Sequence, residues 1–185
     1  MLDQAREESH SLSGALFLNP LPTSLGTIHV GVNSDKVCFL SFVGDKFEEW
    51  RRKYASQCVV SRDDFSHPIF SQIREFLAGD RQCFDVDVQI SGTPFQRSVY
   101  QILLQIPYGE TISYAEIGRR LGDEHLGRAV GNASGQNPIA LILPCHRVVG
   151  SDGKLRGFSG GIPVKKALLR LEYQNTTKQL DLLGF

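Results

Sequence analysis

Residues 113–133 read SYAEIGRRLGDEHLGRAVGNA, and the folding of this stretch decides the architecture of the second half of the chain. Ser113 and Glu116 have the S-x-x-E spacing that satisfies orphan backbone donors where a helix begins. Gly122 stops that helix at Leu121, because glycine readily takes the left-handed conformation that closes a helix. A second helix is expected over residues 124–133. Two short helices joined by a tight glycine turn form a helix-turn-helix, which often docks on DNA but also occurs as plain packing.

The second helix separates its faces. At the helical angle per residue, Leu126, Ala129, Val130 and Ala133 share one side, so Arg128 projects from the other, flanked by Gly127, Gly131 and Asn132. Each helix glycine costs about 1 kcal/mol relative to alanine. Close approach to a nucleic-acid backbone would offset that cost and leave Arg128 free to enter a groove; the alternative is a solvated arginine on a weak helix.

Upstream, Thr93 and Pro94 open another helix with the stripe Phe95, Val99, Ile102, Leu103 and Ile106, closed by Pro107-Tyr108-Gly109. The first ninety residues are different. ALFLN, GTIHVGVN and KVCFLSFVG are β-rich runs parted by turn residues, which predicts an antiparallel meander. DKFEEWRRKYAS and HPIFSQIREFLAGD have helical spacing, and FDVDVQI alternates as a further strand with Asp85 and Asp87 outward. The expected organisation is α+β: a small α/β domain over residues 1–91, a mostly helical domain over 92–173, and a tail over 174–185.

The chain has 185 residues, of which 41% are apolar, enough for one ordinary domain or two small ones. It contains no apolar run long enough for a membrane span, and MLDQAREESH lacks the apolar core of a secretory signal, so a cytoplasmic protein without a membrane partner is expected. Cys38, Cys58, Cys83 and Cys145 are widely spaced, which argues against disulfides and a clustered zinc site; neither metal nor cofactor is expected. Net charge is zero, but residues 1–93 carry nine Lys or Arg against thirteen Asp or Glu, and residues 94–173 carry ten against six. The second half is the basic one, as nucleic-acid contact would require, although a solvated surface can look the same.

ILPCHRVVG, residues 142–150, holds the most reactive side chain. Pro144 ends any helix or central strand, so Cys145 falls in a turn. His146 can cooperate with the thiol through that bend by way of a bridging water, and a nearby cation such as Arg147 would favour the thiolate. Read without its context, Cys145 would be an ordinary buried cysteine.

Its context resembles the O6-alkylguanine-DNA alkyltransferase family. PCHRVVG follows Asn137-Pro138 and precedes Gly157-Phe158-Ser159-Gly160-Gly161 and a helix through Leu171-Glu172; the likeness also takes in TPFQRSVYQILLQIPYGETISYAEIG and GRAVGNA. It covers residues 93–173, whereas the N-terminal half, for which the family implies a ribonuclease H-like sheet, matches in element order more than in motifs. The resemblance implies irreversible transfer of an alkyl group from O6 of guanine, and from O4 of thymine, onto Cys145. It makes His146 the base acting through water and Glu172 the group orienting His146, where the residue alone reads as a surface partner for Lys165, Lys166 or Arg170.

The same resemblance makes Tyr114 the donor to N3 of the departing base and Arg128 the finger filling the vacated stack in the minor groove of double-stranded DNA, with Ser113 and Ala129 beside them. The base must be flipped out, which costs a few kcal/mol. Asn137 links the helix-turn-helix to the cysteine loop, and Val148, Phe158, Ser159 and Gly160 bound the base pocket. Phe158 stands where some members carry tyrosine, which bears on larger alkyl groups. A monomer is implied.

In the tail, Gln179, Leu180, Leu182, Leu183 and Phe185 resemble the short peptides that dock on sliding clamps, the alternative being a tail packed on its own domain. Two other readings compete for the whole chain. A non-catalytic DNA-binding module would not need Cys145, and a cysteine hydrolase using Cys145, His146 and Glu172 would turn over.

Overall fold

The computed structural model describes residues 16–42, 44–53, 58–60 and 66–182. The fold is α+β, as expected. Strands β1 (Leu16–Thr23), β2 (Gly26–Asn33) and β3 (Lys36–Ser41) form the antiparallel meander. A fourth strand that the sequence pattern did not signal, β4 (Cys58–Val60), pairs parallel to β1, giving the order β3-β2-β1-β4. Helix α1 (Gly44–Lys53) lays Phe47 and Trp50 over Leu16, Leu18 and Cys38 on one face. Residues 54–56 of the expected helix lie outside the described residues.

The other face of the sheet carries the main core. Helix α2 (Pro68–Ala78) starts with His67 accepting from the Ile69 N–H and ends at Gly79, where φ is 88°. It packs Ile69, Ile73 and Phe76 against Ile28, Val30, Val32, Val37 and Leu40. Chain from the second half completes this core: Ile139, Ala140, Leu141 and Leu168 belong to it.

The contact is made through the backbone. The Leu40 N–H donates to the Pro138 carbonyl at 2.8 Å, and the Ala140 N–H donates to the Leu40 carbonyl at 2.8 Å, so the segment leading to Cys145 is pinned to the free edge of β3. This explains a difference from the sequence expectation. Residues 84–90 keep their alternating exposure but make one isolated bridge, Val37 with Val88, rather than a strand, because the rest of that edge is taken by Pro138–Ala140.

Helix α3 (Pro94–Leu103) begins with a full capping box between Thr93 and Gln96. After the short β5 (Ile112–Ser113), helix α4 (Tyr114–Arg120) starts with the Ser113 hydroxyl accepting from the Glu116 N–H at 3.1 Å. The Glu116 carboxylate does not close the box; it pairs with Arg119 and Arg120 instead. A side chain at Gly118 would bring its Cβ within 2.7 Å of the Asp123 carbonyl, so the turn between the helices can fold back closely only over glycine. The second helix departs from the expected span: residues Glu124–Leu126 form a single 3-10 turn capped by Asp123, and α5 runs Gly127–Gly135.

Strand β6 (Val148–Val149) pairs with β5. The last element, α6 (Gly161–Leu182), is one continuous helix. It therefore carries the first residues of the expected tail; Leu183 and Phe185, and the side chains of Gln179, Leu180 and Leu182, lie outside the described residues. No described helix is long and apolar enough to cross a membrane.

Candidate active site

Cys145 opens a single 3-10 turn, Cys145–Arg147, directly after Pro144. The approach to it is strained. Leu141 is buried with φ at 72°, a left-handed conformation that costs a branched residue roughly 1–2 kcal/mol, and burial in the sheet core together with the Leu143 N–H on the Ile139 carbonyl holds it there. Cys145 is itself buried, in the core that α3, α4 and α5 form around Val99, Ile117, Val130 and Ala133.

Asn137 ties the thiol to the helix-turn-helix. Its Nδ2 donates to the Leu143 carbonyl at 2.7 Å and to Cys145 Sγ at 3.1 Å, while its Oδ1 accepts from the Ile139 N–H at 2.9 Å. The asparagine backbone N–H reaches back to the Ser134 carbonyl in the last turn of α5. One residue thus joins α5 through its backbone, and the segment on the β3 edge and the sulfur through its side chain.

On the other side of the turn, His146 and Arg147 converge on one carboxylate. Glu172 and His146 are fully buried, and Nε2 of the histidine lies 2.7 Å from Glu172 Oε1. Arg147 Nε donates to both carboxylate oxygens, at 3.2 and 3.0 Å, and a terminal nitrogen donates to Oε1 at 3.0 Å. The Gly109 N–H supplies another donor to Oε2 at 2.9 Å. Burial alone would raise the Glu172 carboxyl, but the hydrogen bonds and charges of His146 and Arg147 outweigh it and hold the group below its usual range. Burial pushes the His146 imidazole down, against the pull of Glu172 and with help from the charges of Arg147 and Lys165. The imidazole is therefore biased toward its neutral form, and its Nδ1 has no hydrogen-bond partner.

This arrangement corrects two expectations. The cation that Glu172 pairs with is Arg147, not Lys165, Lys166 or Arg170, and Arg147 is engaged with the carboxylate rather than offered to the thiol. A cation whose charge couples to Cys145 is Lys165, which the sequence reading placed at the surface. Lys165 is fully buried and donates to the carbonyls of Val148 and Arg156 at 2.6 and 2.7 Å; burial pushes its ammonium down to about 8. Residues 165, 168 and 172 form a stripe of helical spacing, a signal obscured because two of the three are charged.

Tyr114, the first residue of α4, leans its ring toward the Lys165 ammonium, 5.7 Å away, and its hydroxyl donates to the Arg156 carbonyl at 3.4 Å. Burial raises its pKa, and negative charge on Cys145 raises it further. Tyr100, also missed from sequence, donates to the Ala133 carbonyl at 3.3 Å; burial first, then the charge of Cys145, push it up to about 12.

The pocket residues arrive on the segment before α6. Phe158 sets its ring edge toward His146 with centroids 6.4 Å apart and meets Phe42 at 6.1 Å. Gly160 is required there, since a Cβ would come within 2.9 Å of Phe158 and 3.0 Å of Phe42. Val148 is buried and Ser159 half-buried beside them.

Arg128 stands apart from this cluster, exposed on α5, with Ala129 half-buried next to it. Cβ atoms on Gly127 or Gly131 would lie an ordinary 3.8 Å from Tyr114, so nothing inside the protein demands these glycines. No group of three or more His, Cys, Asp or Glu among the described residues could hold a metal ion.

The sequence profile of the 6-O-methylguanine DNA methyltransferase DNA binding domain matches residues 94–174. The chain is 45% identical over 158 residues to a methylated-DNA--protein-cysteine methyltransferase of Methanosarcina acetivorans, an alignment covering 85% of this chain and 96% of the relative. Among solved structures, the Mycobacterium tuberculosis O6-methylguanine methyltransferase superposes with a TM-score of 0.77 at 38% identity, covering 86% of this chain and 94% of that one. The same mycobacterial protein in complex with DNA gives 0.76 at 36% identity, with the same coverage. The chain belongs to the methylated-DNA--protein-cysteine methyltransferase family.

Proposed function

We propose that this protein repairs DNA by moving the methyl group of O6-methylguanine irreversibly onto its own Cys145. The observation that carries the reading is a buried thiol, held by Asn137 at 3.1 Å, next in the chain to a buried imidazole whose Nε2 meets Glu172 and whose Nδ1 has no hydrogen-bond partner. In this reading Nδ1 takes the thiol proton through a bridging water, and Glu172 orients the ring and stabilises the imidazolium that forms.

The sulfur then attacks the methyl carbon, the S–C bond forms as the C–O6 bond breaks, and the guanine leaves with the electron pair. Tyr114, kept protonated by burial and by the developing thiolate, gives its proton to N3 and recovers one from the imidazolium through solvent. The products are S-methylcysteine and guanine, so each molecule reacts once. No cofactor is needed.

Access to the methyl group requires extrusion of the nucleotide through the minor groove of duplex DNA. Arg128, exposed on a helix whose neighbouring glycines serve no internal packing need, is assigned to the vacated stack, with Ser113 and Ala129 at the adjacent backbone. Val148, Phe158, Ser159 and Gly160 are assigned to the base pocket. O4-methylthymine is assigned as a second substrate, and the acting species as a monomer in the compartment that holds the DNA.

Intact mass after mixing with duplex containing O6-methylguanine tests the reading. One methyl gained on Cys145, absent in Cys145→Ala, is expected; damaged DNA left unchanged by excess folded protein overturns it, and repeated turnover would make the protein a hydrolase. The clamp-docking role of Gln179, Leu180, Leu182, Leu183 and Phe185 rests on sequence spacing, and a peptide of residues 174–185 that fails to bind a bacterial or archaeal ring clamp removes it.

A further inference from the structure

Arg147 contributes more contacts to the site than the transfer reading requires. It is 7% exposed, and two nitrogens of its guanidinium donate to the Glu172 carboxylate while a third donates to the Ile106 carbonyl at 2.6 Å. Its plane rests 5.6 Å from the centroid of Tyr108, whose hydroxyl accepts from Asn175 in α6. With the Gly109 N–H also on Oε2, that oxygen has two donors, and on Oε1 His146 Nε2 shares the acceptor with Arg147 Nε and a terminal guanidinium nitrogen. Neighbouring side chains rarely reach one acceptor; the tight 3-10 turn at Cys145–Arg147 brings these two together.

The electrostatic consequence follows from the contacts. A buried carboxylate whose sole partner is an imidazole draws a proton onto that ring, because the ion pair is favoured over the neutral one when no other charge is near. A guanidinium on the same carboxylate removes most of that pull.

We propose that Arg147 is a positioning residue for alkyl transfer: it fixes Glu172 as a carboxylate that orients the imidazole through Nε2–H without protonating it at rest, leaving Nδ1 an empty acceptor for the thiol proton. This role rests on the transfer reading and deepens it. Other charges act in the same space. His146 faces Glu172, Arg147 and Lys165, Glu172 also faces Tyr108, and Cys145 faces Lys165, Tyr114 and Tyr100. Lys165 hydrogen-bonds the Val148 and Arg156 carbonyls, whereas Arg147 touches both oxygens of the carboxylate, so the two can be separated by mutation.

The test is the pH profile of single-turnover methyl transfer to the full-length protein from duplex containing O6-methylguanine. In Arg147→Met the acid limb moves upward by about one unit, giving roughly tenfold slower transfer on that limb and a plateau at high pH within about threefold of the unaltered protein. Arg147→Lys keeps the charge and returns most of the shift. The double variant Arg147→Met with Glu172→Gln places the limb at or below that of the unaltered protein, because the carboxylate that would draw the proton is gone.

A profile of Arg147→Met that is scaled down with its limb unmoved is the mark of a structural role and overturns the proposal. If that variant does not fold, Arg147→Gln takes its place as the uncharged variant: a limb above that of Arg147→Lys supports the proposal, and coincidence of those two limbs overturns it. Glu172→Gln alone, transferring methyl at the unaltered rate at every pH, would instead sink the underlying relay and leave Arg147 without a task.

Discussion

The two cores of this molecule solve opposite problems. Beneath the sheet, Ile28, Val30, Ile73, Phe76 and Ile139 pack as apolar side chains that need only volume and shape. Around the cysteine loop, Asn137, His146, Arg147, Lys165 and Glu172 are buried too, and each is held by named hydrogen bonds. The first core tolerates a lost contact in proportion to the volume removed. The second does not, because each partner removed leaves a charge or a donor without solvent or protein to satisfy it.

Glu172→Ala presses this contrast hardest. It strands the Arg147 guanidinium and frees His146, so unfolding in urea should show a loss of about 3–5 kcal/mol, and methyl transfer should slow by roughly a hundredfold. Were stability to change by less than about 1 kcal/mol, the cluster would not be the closed network described. Phe76→Ala is the matched cut in the apolar core, with an expected loss of about 3–4 kcal/mol but an unchanged transfer rate per folded molecule. A slowed rate in that variant would mean that the sheet does more than support the loop.

Acid separates the cores without mutation. The unfolded imidazole of His146 takes up a proton below its ordinary 6.5 while the buried ring resists, so the unfolded state binds more protons and the melting temperature falls as pH drops below that value. Glu172 adds a second fall below its ordinary 4.5, since its folded carboxyl protonates later than its unfolded one. Phe76→Ala should melt lower with the same pH dependence, and a change in shape would contradict the division. The smallest effect is expected for Ser113→Ala, which removes the cap of α4 at about 1 kcal/mol by chemical unfolding.

Much of the architecture is legible in local chemistry. The meander, the caps at Thr93 and Ser113, the stop at Gly79 and the turn forced by Pro144 follow from neighbours within a few residues, and the structure has them all. The exposed face of Arg128 follows from helical spacing. Residues 84–90 show where such reading stops. Their alternation is real, but whether they form a strand depends on a free edge, and Pro138–Ala140 had taken most of it.

The site divides in the same way. Cys145 and His146 declare themselves by their turn, and the family resemblance supplies Glu172, Asn137 and Tyr114. Lys165 and the true partner of Glu172 stayed hidden, because spacing rules send charges outward and cannot see a carboxylate 25 residues along the chain waiting for Arg147. The amino-acid order by itself determined the helix-turn-helix, the bend at the thiol and the basic half, since these depend on backbone preferences and periodicity. Only the folded chain decided which ion meets which. Pairing among buried charges is set by distances between elements far apart in sequence, and desolvation makes those distances matter most where water is absent.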